Sequence, residues 1–115
     1  MSVTIYHNPR CSKSRATLAL LEEKGVEPQI AEYLGTPPSR DEIIRILEGL
    51  AMAPRDLMRK KEKTYTELNL GDHSMGRDAL IDAILENPIL MERPVVVKDG
   101  KYAIGRPPEN VLEIL

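Results

Sequence analysis

Near the C-terminal end of the chain, Pro94-Val95-Val96-Val97-Lys98 and Lys101-Tyr102-Ala103-Ile104 flank Asp99-Gly100. Two β-branched or aromatic runs joined by Asp-Gly predict a β-hairpin with a type I′ turn, since both central residues need positive φ. The other extended runs come early. Val3-Thr4-Ile5-Tyr6 reads as a strand ended by Asn8-Pro9, and Gln29 to Leu34 reads as a second. Between these two, helix signals run from Ser12 to about Lys24, with Ala16, Ala19 and Leu20 on one face and Gly25 as a stop.

The middle of the chain changes to helical spacing. Ser39-Arg40-Asp41-Glu42 is a capping box, and the helix it opens puts Ile43, Ile44, Leu47 and Leu50 on a core face, stopping near Gly49. Pro54 suits the first turn of a short helix over Arg55 to about Lys61. A further turn is expected over Tyr65 to Leu70, with Gly71-Asp72 as a break. A helix from Ser74 or Met75 to Glu86 then turns Leu80, Ile81, Ile84 and Leu85 inward. After the hairpin, Gly105-Arg106-Pro107-Pro108-Glu109 leads into a closing helix to Leu115. The order is β-α-β, a helical insertion over about residues 39–90, then β-β-α. That order predicts an α/β, thioredoxin-like fold with a mixed four-stranded sheet, carried by one domain over residues 1–115.

A length of 115 residues suits one compact domain, and with four tyrosines and no Phe or Trp its core must be aliphatic. A formal net charge of −2 offers no global attraction for nucleic acid or an anionic membrane. No apolar run approaches the ~18 residues of a membrane span, and the N-terminus has no basic segment before an apolar one. Cys11 is the single cysteine, so no internal disulfide is possible, which fits a reducing cytoplasm. A redox cycle through Cys11 must borrow a second thiol from outside the chain.

Cys11 sits at a strand-to-helix junction, where free amide N–H groups and the positive helix end stabilise a thiolate. Arg10, Lys13 and Arg15 add positive charge around it. His7 is close enough in a tight loop to influence the sulfur, and Ser14, one helical turn on, can donate its hydroxyl to it. These neighbours predict a depressed thiol pKa and a nucleophile at neutral pH. The same amides suit a small tetrahedral oxyanion beside the sulfur. Its counter-charges would come from arginine, whose planar fork matches oxyanions. Arg59 falls at the end of the short helix after Pro54. Arg93 and Arg106 directly precede Pro94 and Pro107, which holds both on extended backbone. By analogy with thioredoxin-like proteins, Pro94 is the candidate for a cis-proline facing the cysteine.

His7-Asn8-Pro9-x-Cys11-x-x-Ser14-Arg15, with Arg59 in Leu57-Met58-Arg59-Lys60, Arg93 in Glu92-Arg93-Pro94-Val95 and Arg106 in Gly105-Arg106-Pro107, resembles the glutaredoxin-linked arsenate reductase (ArsC) family over essentially the whole chain. The resemblance implies an oxidoreductase with no bound cofactor or metal. It implies that Cys11 attacks arsenate, glutathione acts as co-substrate, and glutaredoxin resolves the mixed disulfide as arsenite leaves. It gives Arg59, Arg93 and Arg106 the oxyanion, and His7 and Ser14 the ionisation of the thiol. Two features depart from the plasmid-borne enzymes: Arg10 and Lys13 stand where those carry small residues, and the chain ends at Leu115 where those continue with a charged extension. Both resemble the chromosomal ArsC-like branch.

Two other readings remain open from the residues. Spx-type regulators share the fold and bind RNA polymerase, but typically carry Cys-x-x-Cys where this chain has Ser14. A monothiol glutaredoxin-like protein acting on glutathione adducts fits the Cys-x-x-Ser spacing but not three arginines converging on the site. His73 reads as a surface loop residue.

Overall fold

In the computed structural model, which describes residues 2–115, the early and late extended runs meet in one sheet. Strand β1 (Val3–Tyr6) lies parallel to β2 (Gln29–Ala31), with Thr4 opposite Gln29 and Tyr6 opposite Ala31. Its other side is antiparallel to β3 (Val95–Lys98), which pairs in turn with β4 (Lys101–Ile104). The sheet order is β2-β1-β3-β4, and helix α1 (Ser12–Glu23) makes the crossover between the two parallel strands. This is the α/β, thioredoxin-like fold with its mixed four-stranded sheet. Asp99 and Gly100 turn the hairpin with φ of 49° and 79°, as a type I′ turn requires.

The chain divides into two compact units: residues up to Thr36 together with Arg93–Leu115, and Pro37–Glu92. In the sheet unit, Val3, Ile5, Leu21, Val96 and Val111 form a buried aliphatic cluster. The face that α1 buries differs from the expected one. Ser14, Thr17 and Leu21 are buried, while Ala16 and Ala19 are exposed and Leu20 is half-buried. Apolar periodicity misses this face because two of its members are hydroxyls, which tolerate burial when hydrogen-bonded. β2 is also shorter than expected. It ends at Ala31, because the Glu32 carbonyl accepts from the Gly35 and Thr36 amides (both 3.0 Å) and closes a turn. The closing helix is 3-10 rather than α over Pro108–Ile114, with Val111 turned inward.

In the helical unit, α2 (Arg40–Leu50) opens on the capping box: Ser39 Oγ accepts from the Glu42 amide, and the Glu42 carboxylate accepts from the Ser39 amide (both 3.2 Å). It buries Ile43, Ile46 and Leu47, leaving the expected Ile44 and Leu50 only half-buried. The helix expected over 55–61 is a single 3-10 turn, Pro54–Leu57. Beyond it the backbone is drawn into a ladder with residues 90–92. Glu92 N donates to Leu57 O (2.6 Å) and Arg59 N to Leu90 O (2.7 Å), which leaves Met58 extended and bridged to Met91. A short α3 (Lys63–Glu67) follows. Helix α4 (Arg77–Glu86) starts later than expected, because Ser74 gives both its amide and its hydroxyl to Asp72 Oδ1 in a turn (2.9 and 2.8 Å). It buries Leu80, Ile81, Ala83 and Ile84, with Leu85 half-buried. Arg40 ties α2 to α4 through Asp78 (3.0 Å) and Asp82, in an exposed network of modest energetic weight. No helix of the described residues is long and apolar enough to cross a membrane.

Candidate functional site

Sheet register decides which loops meet. Tyr6 pairs with Ala31 on one side and Val95 on the other, and Val95 pairs with Ile104. His7, Glu32, Arg93-Pro94 and Gly105-Arg106 therefore all leave the sheet at one end, the end where α1 begins.

Cys11 is the N-cap residue of α1, in extended conformation (φ −92°, ψ 124°), and its side chain makes no capping hydrogen bond. A tight turn places it there. Cys11 N donates to Asn8 O (3.0 Å), Arg10 N to Asn8 Oδ1 (3.0 Å), and Arg15 Nη1 to Pro9 O (2.9 Å). The thiol is half-buried, and its pKa lies below the ordinary value. Burial pushes it up, but the Ser14 amide, the Arg93 charge, the Lys13 amide and a hydrogen bond from the Arg93 side chain together outweigh that. The charges on α1 point the same way. Its first turn has no acid and its last turn no base, while Lys13 and Arg15 lie near its start and Glu22 and Glu23 near its end. That is the reverse of what the helix dipole favours, and it leaves the positive end to a sulfur anion.

His7 is buried, and its Nδ1 lies 2.6 Å from Ser14 Oγ, which also accepts from the Asn8 amide (3.0 Å). Burial lowers the imidazole pKa, the Glu32 carboxylate opposes, and Arg15 adds to the lowering, so the neutral imidazole is the favoured form. Ser14 thus differs from the expectation that its hydroxyl serves the sulfur. The hydroxyl ties His7 and Asn8 to the first helical turn, and the backbone amide helps to hold the Cys11 pKa down.

The three arginines part company. Arg93 lies against the sulfur, and the peptide bond to Pro94 is cis. Arg106 is exposed at the same end of the sheet, and its bond to Pro107 is also cis, a second such bond beside the expected one at Pro94. Arg59 belongs to the helical unit, beyond the 3-10 turn rather than at the end of a helix, with its guanidinium 3.2 Å from Glu62. A groove of about 400 Å³ runs along the other flank of the loop, between His7–Arg10 and Glu32, Leu34 and Gly35. Among the described residues, no cluster of three His, Cys, Asp or Glu side chains could hold a metal. Sequence reasoning missed Thr17 and Gly105. Thr17 Oγ1 donates to Lys13 O (2.8 Å) and lies 3.3 Å from Gly105 O. The available signal was the 14, 17, 21 spacing, which continues the face of Ser14.

Fold and site together define a thioredoxin-like thiol protein, with one activated cysteine at a helix start and a guanidinium beside it. The ArsC family model matches residues 6–114, and the chain belongs to the ArsC family. It is 58% identical to the protein YfgD of Escherichia coli, over 98% of this chain and 96% of that one. It is 50% identical to a Haemophilus influenzae protein named arsenate reductase, over the whole of both chains. A solved structure named arsenate reductase from Vibrio cholerae superposes with a TM-score of 0.98 at 56% identity, covering 100% of this chain and 98% of that one.

Proposed function

We propose that this protein reduces arsenate to arsenite, with Cys11 as nucleophile and with glutathione and glutaredoxin as external reductants. The observation that carries the reading is the single cysteine at the N-cap of α1, its thiol held below the ordinary pKa by the Ser14 and Lys13 amides and by Arg93. In the reaction, the Cys11 thiolate attacks arsenic(V) and a protonated oxygen leaves as water, forming an S–As bond without change of oxidation state. Arsenic then takes two electrons as two thiols become one disulfide. Because the chain holds one thiol, the second is glutathione, and glutaredoxin returns the mixed disulfide at Cys11 to the thiolate.

Arg93 has two successive tasks here. It stabilises the resting thiolate, and its fork then offers hydrogen bonds to an arsenate oxygen beside the sulfur. Neutral His7, through Ser14, holds the first turn of α1 in place. Arg106 lies at the same sheet end and is read as a second oxyanion ligand. Arg59 takes that role from the family resemblance alone. The names of the relatives in Haemophilus influenzae and Vibrio cholerae support the substrate. The active protein is placed in the cytoplasm, where glutathione keeps a lone thiol reduced.

The test couples NADPH oxidation to arsenate through glutathione reductase, glutathione and glutaredoxin. Wild type is expected to turn over and Cys11→Ser to remain at background. Wild type at background with several glutaredoxins overturns the reading.

A further inference from the structure

Thr17 is fully buried, polar, and unused by the chemistry above. Its hydroxyl proton is shared between two carbonyls, Lys13 O at 2.8 Å within α1 and Gly105 O at 3.3 Å after β4. Gly105 is held on its other side by a hydrogen bond from its amide to Pro94 O (3.0 Å). No side chain fits between them. A Cβ at Gly105 would collide with Thr17 Oγ1 and come within 2.9 Å of both Thr17 Cγ2 and Pro94 Cγ. The contact therefore joins two segments far apart in sequence: the first turn of α1, whose Lys13 and Ser14 amides face Cys11, and the turn that carries Arg93 to the same sulfur.

We infer that Thr17 is a positioning residue, whose hydroxyl clamps the first turn of α1 to the Pro94–Gly105 junction so that the Lys13 and Ser14 amides and the Arg93 guanidinium converge on Cys11 Sγ. A threonine bonded back to the carbonyl four residues earlier tilts that carbonyl and tends to bend its helix, which adjusts the direction of the amides above it. Valine has nearly the same shape but no proton to share. It leaves the Gly105 carbonyl without this donor and releases the clamp.

The inference rests on Cys11 being the reactive thiol, and its test is made independent of arsenate. The thiol pKa is read from the pH dependence of iodoacetamide alkylation and from thiolate absorbance at 240 nm, in wild type, Thr17→Val and Thr17→Ser. In Thr17→Val the pKa is expected to rise, with alkylation at neutral pH falling about threefold to tenfold, since each pKa unit above the working pH is ~10-fold in thiolate. Thr17→Ser keeps the hydroxyl and is expected to keep the wild-type pKa despite its smaller volume. A merely structural role predicts the opposite ranking, with serine the more damaging because it leaves a cavity. A wild-type pKa in Thr17→Val, or an equal rise in both variants, overturns the inference. If the valine variant does not fold, the serine variant decides: retained pKa supports the clamp, and a raised pKa overturns it. Loss of arsenate turnover in all forms would remove the substrate assignment and leave the pKa comparison standing.

Discussion

Helices α1 and α2 begin in opposite ways. At α2, Ser39 and Glu42 close a reciprocal capping box, and Asp41 and Glu42 place negative charge in the first turn. At α1, Cys11 occupies the cap position without a capping bond, the first turn has no acid, and Lys13 and Arg15 lie near its start. Both starts face the same problem of unsatisfied amides at a positive helix end. α2 solves it within the chain and gains stability, whereas α1 leaves its amides for a sulfur. Burial repeats the contrast. The buried polar side chains His7, Ser14 and Thr17 all lie in the sheet unit, around the cysteine, while the helical unit buries an aliphatic set around Ile43, Leu47, Ile81 and Ile84. Polar groups are costly to bury without partners, and here each has them. A protein that gives up helix stability at one junction and secures it at another is showing where its chemistry lies.

The sharpest way to break the comparison is to give α1 the cap that α2 has. Cys11→Ser is expected to abolish arsenate-dependent turnover while leaving stability unchanged or raised by up to about 1 kcal/mol, since serine is a favoured cap. Urea unfolding checks the second half, and its pH dependence has a definite sign. The native thiol pKa is lowered, so between it and the unfolded value the unfolded chain binds more protons than the native one. Wild type therefore gains stability as pH rises through that window and loses it again as pH falls through the native pKa, whereas the serine variant lacks this slope. Next in size, Arg93→Ala is expected to raise the thiol pKa and to slow turnover by about tenfold or more, as loss of a charge-assisted contact implies. Arg93→Lys should restore charge without the fork and recover only part of the rate. On the α2 side, Ser39→Ala should cost about 1 kcal/mol of unfolding free energy and leave Cys11 alkylation as it was. A change in thiol pKa there would mean the two helix starts are not separate devices.

Elements whose signals are local were legible in the sequence: the Asp99-Gly100 turn, the Ser39 capping box and the strand–cysteine–helix junction are each fixed by neighbouring residues. What could not be read depends on partners distant in the chain. Residues 58–59 leave the helical path because residues 90–92 pair with them, and Ser74 stays out of α4 because Asp72 holds it. The buried face of α1 was hidden because Ser14 and Thr17 do not look like core until their acceptors and donors are placed. Within the site, Cys11 and Arg93 follow from charge and proline context. The exchange of roles within Ser14, hydroxyl to His7 and amide toward the sulfur, depends on how the His7 loop folds back over α1.

The smallest expected effect tests whether the reversed charge on α1 serves the thiol at all. Lys13 is exposed, and its backbone amide, which faces Cys11, survives any change of side chain. Lys13→Glu puts an acid in the first turn, as α2 already has, and should stabilise the helix by about 0.3–1 kcal/mol at low salt. The same carboxylate near the sulfur disfavours the thiolate, so the thiol pKa should rise slightly and alkylation at neutral pH should slow. Stability and reactivity are thus predicted to move in opposite directions through one exposed residue. Added salt should shrink both shifts together, because both act through solvent. If reactivity falls while stability does not rise, the charge pattern of α1 is not a compromise between the two. If stability rises with reactivity unchanged, the amides and Arg93 alone hold the thiolate, and Lys13 matters to the site only through its backbone.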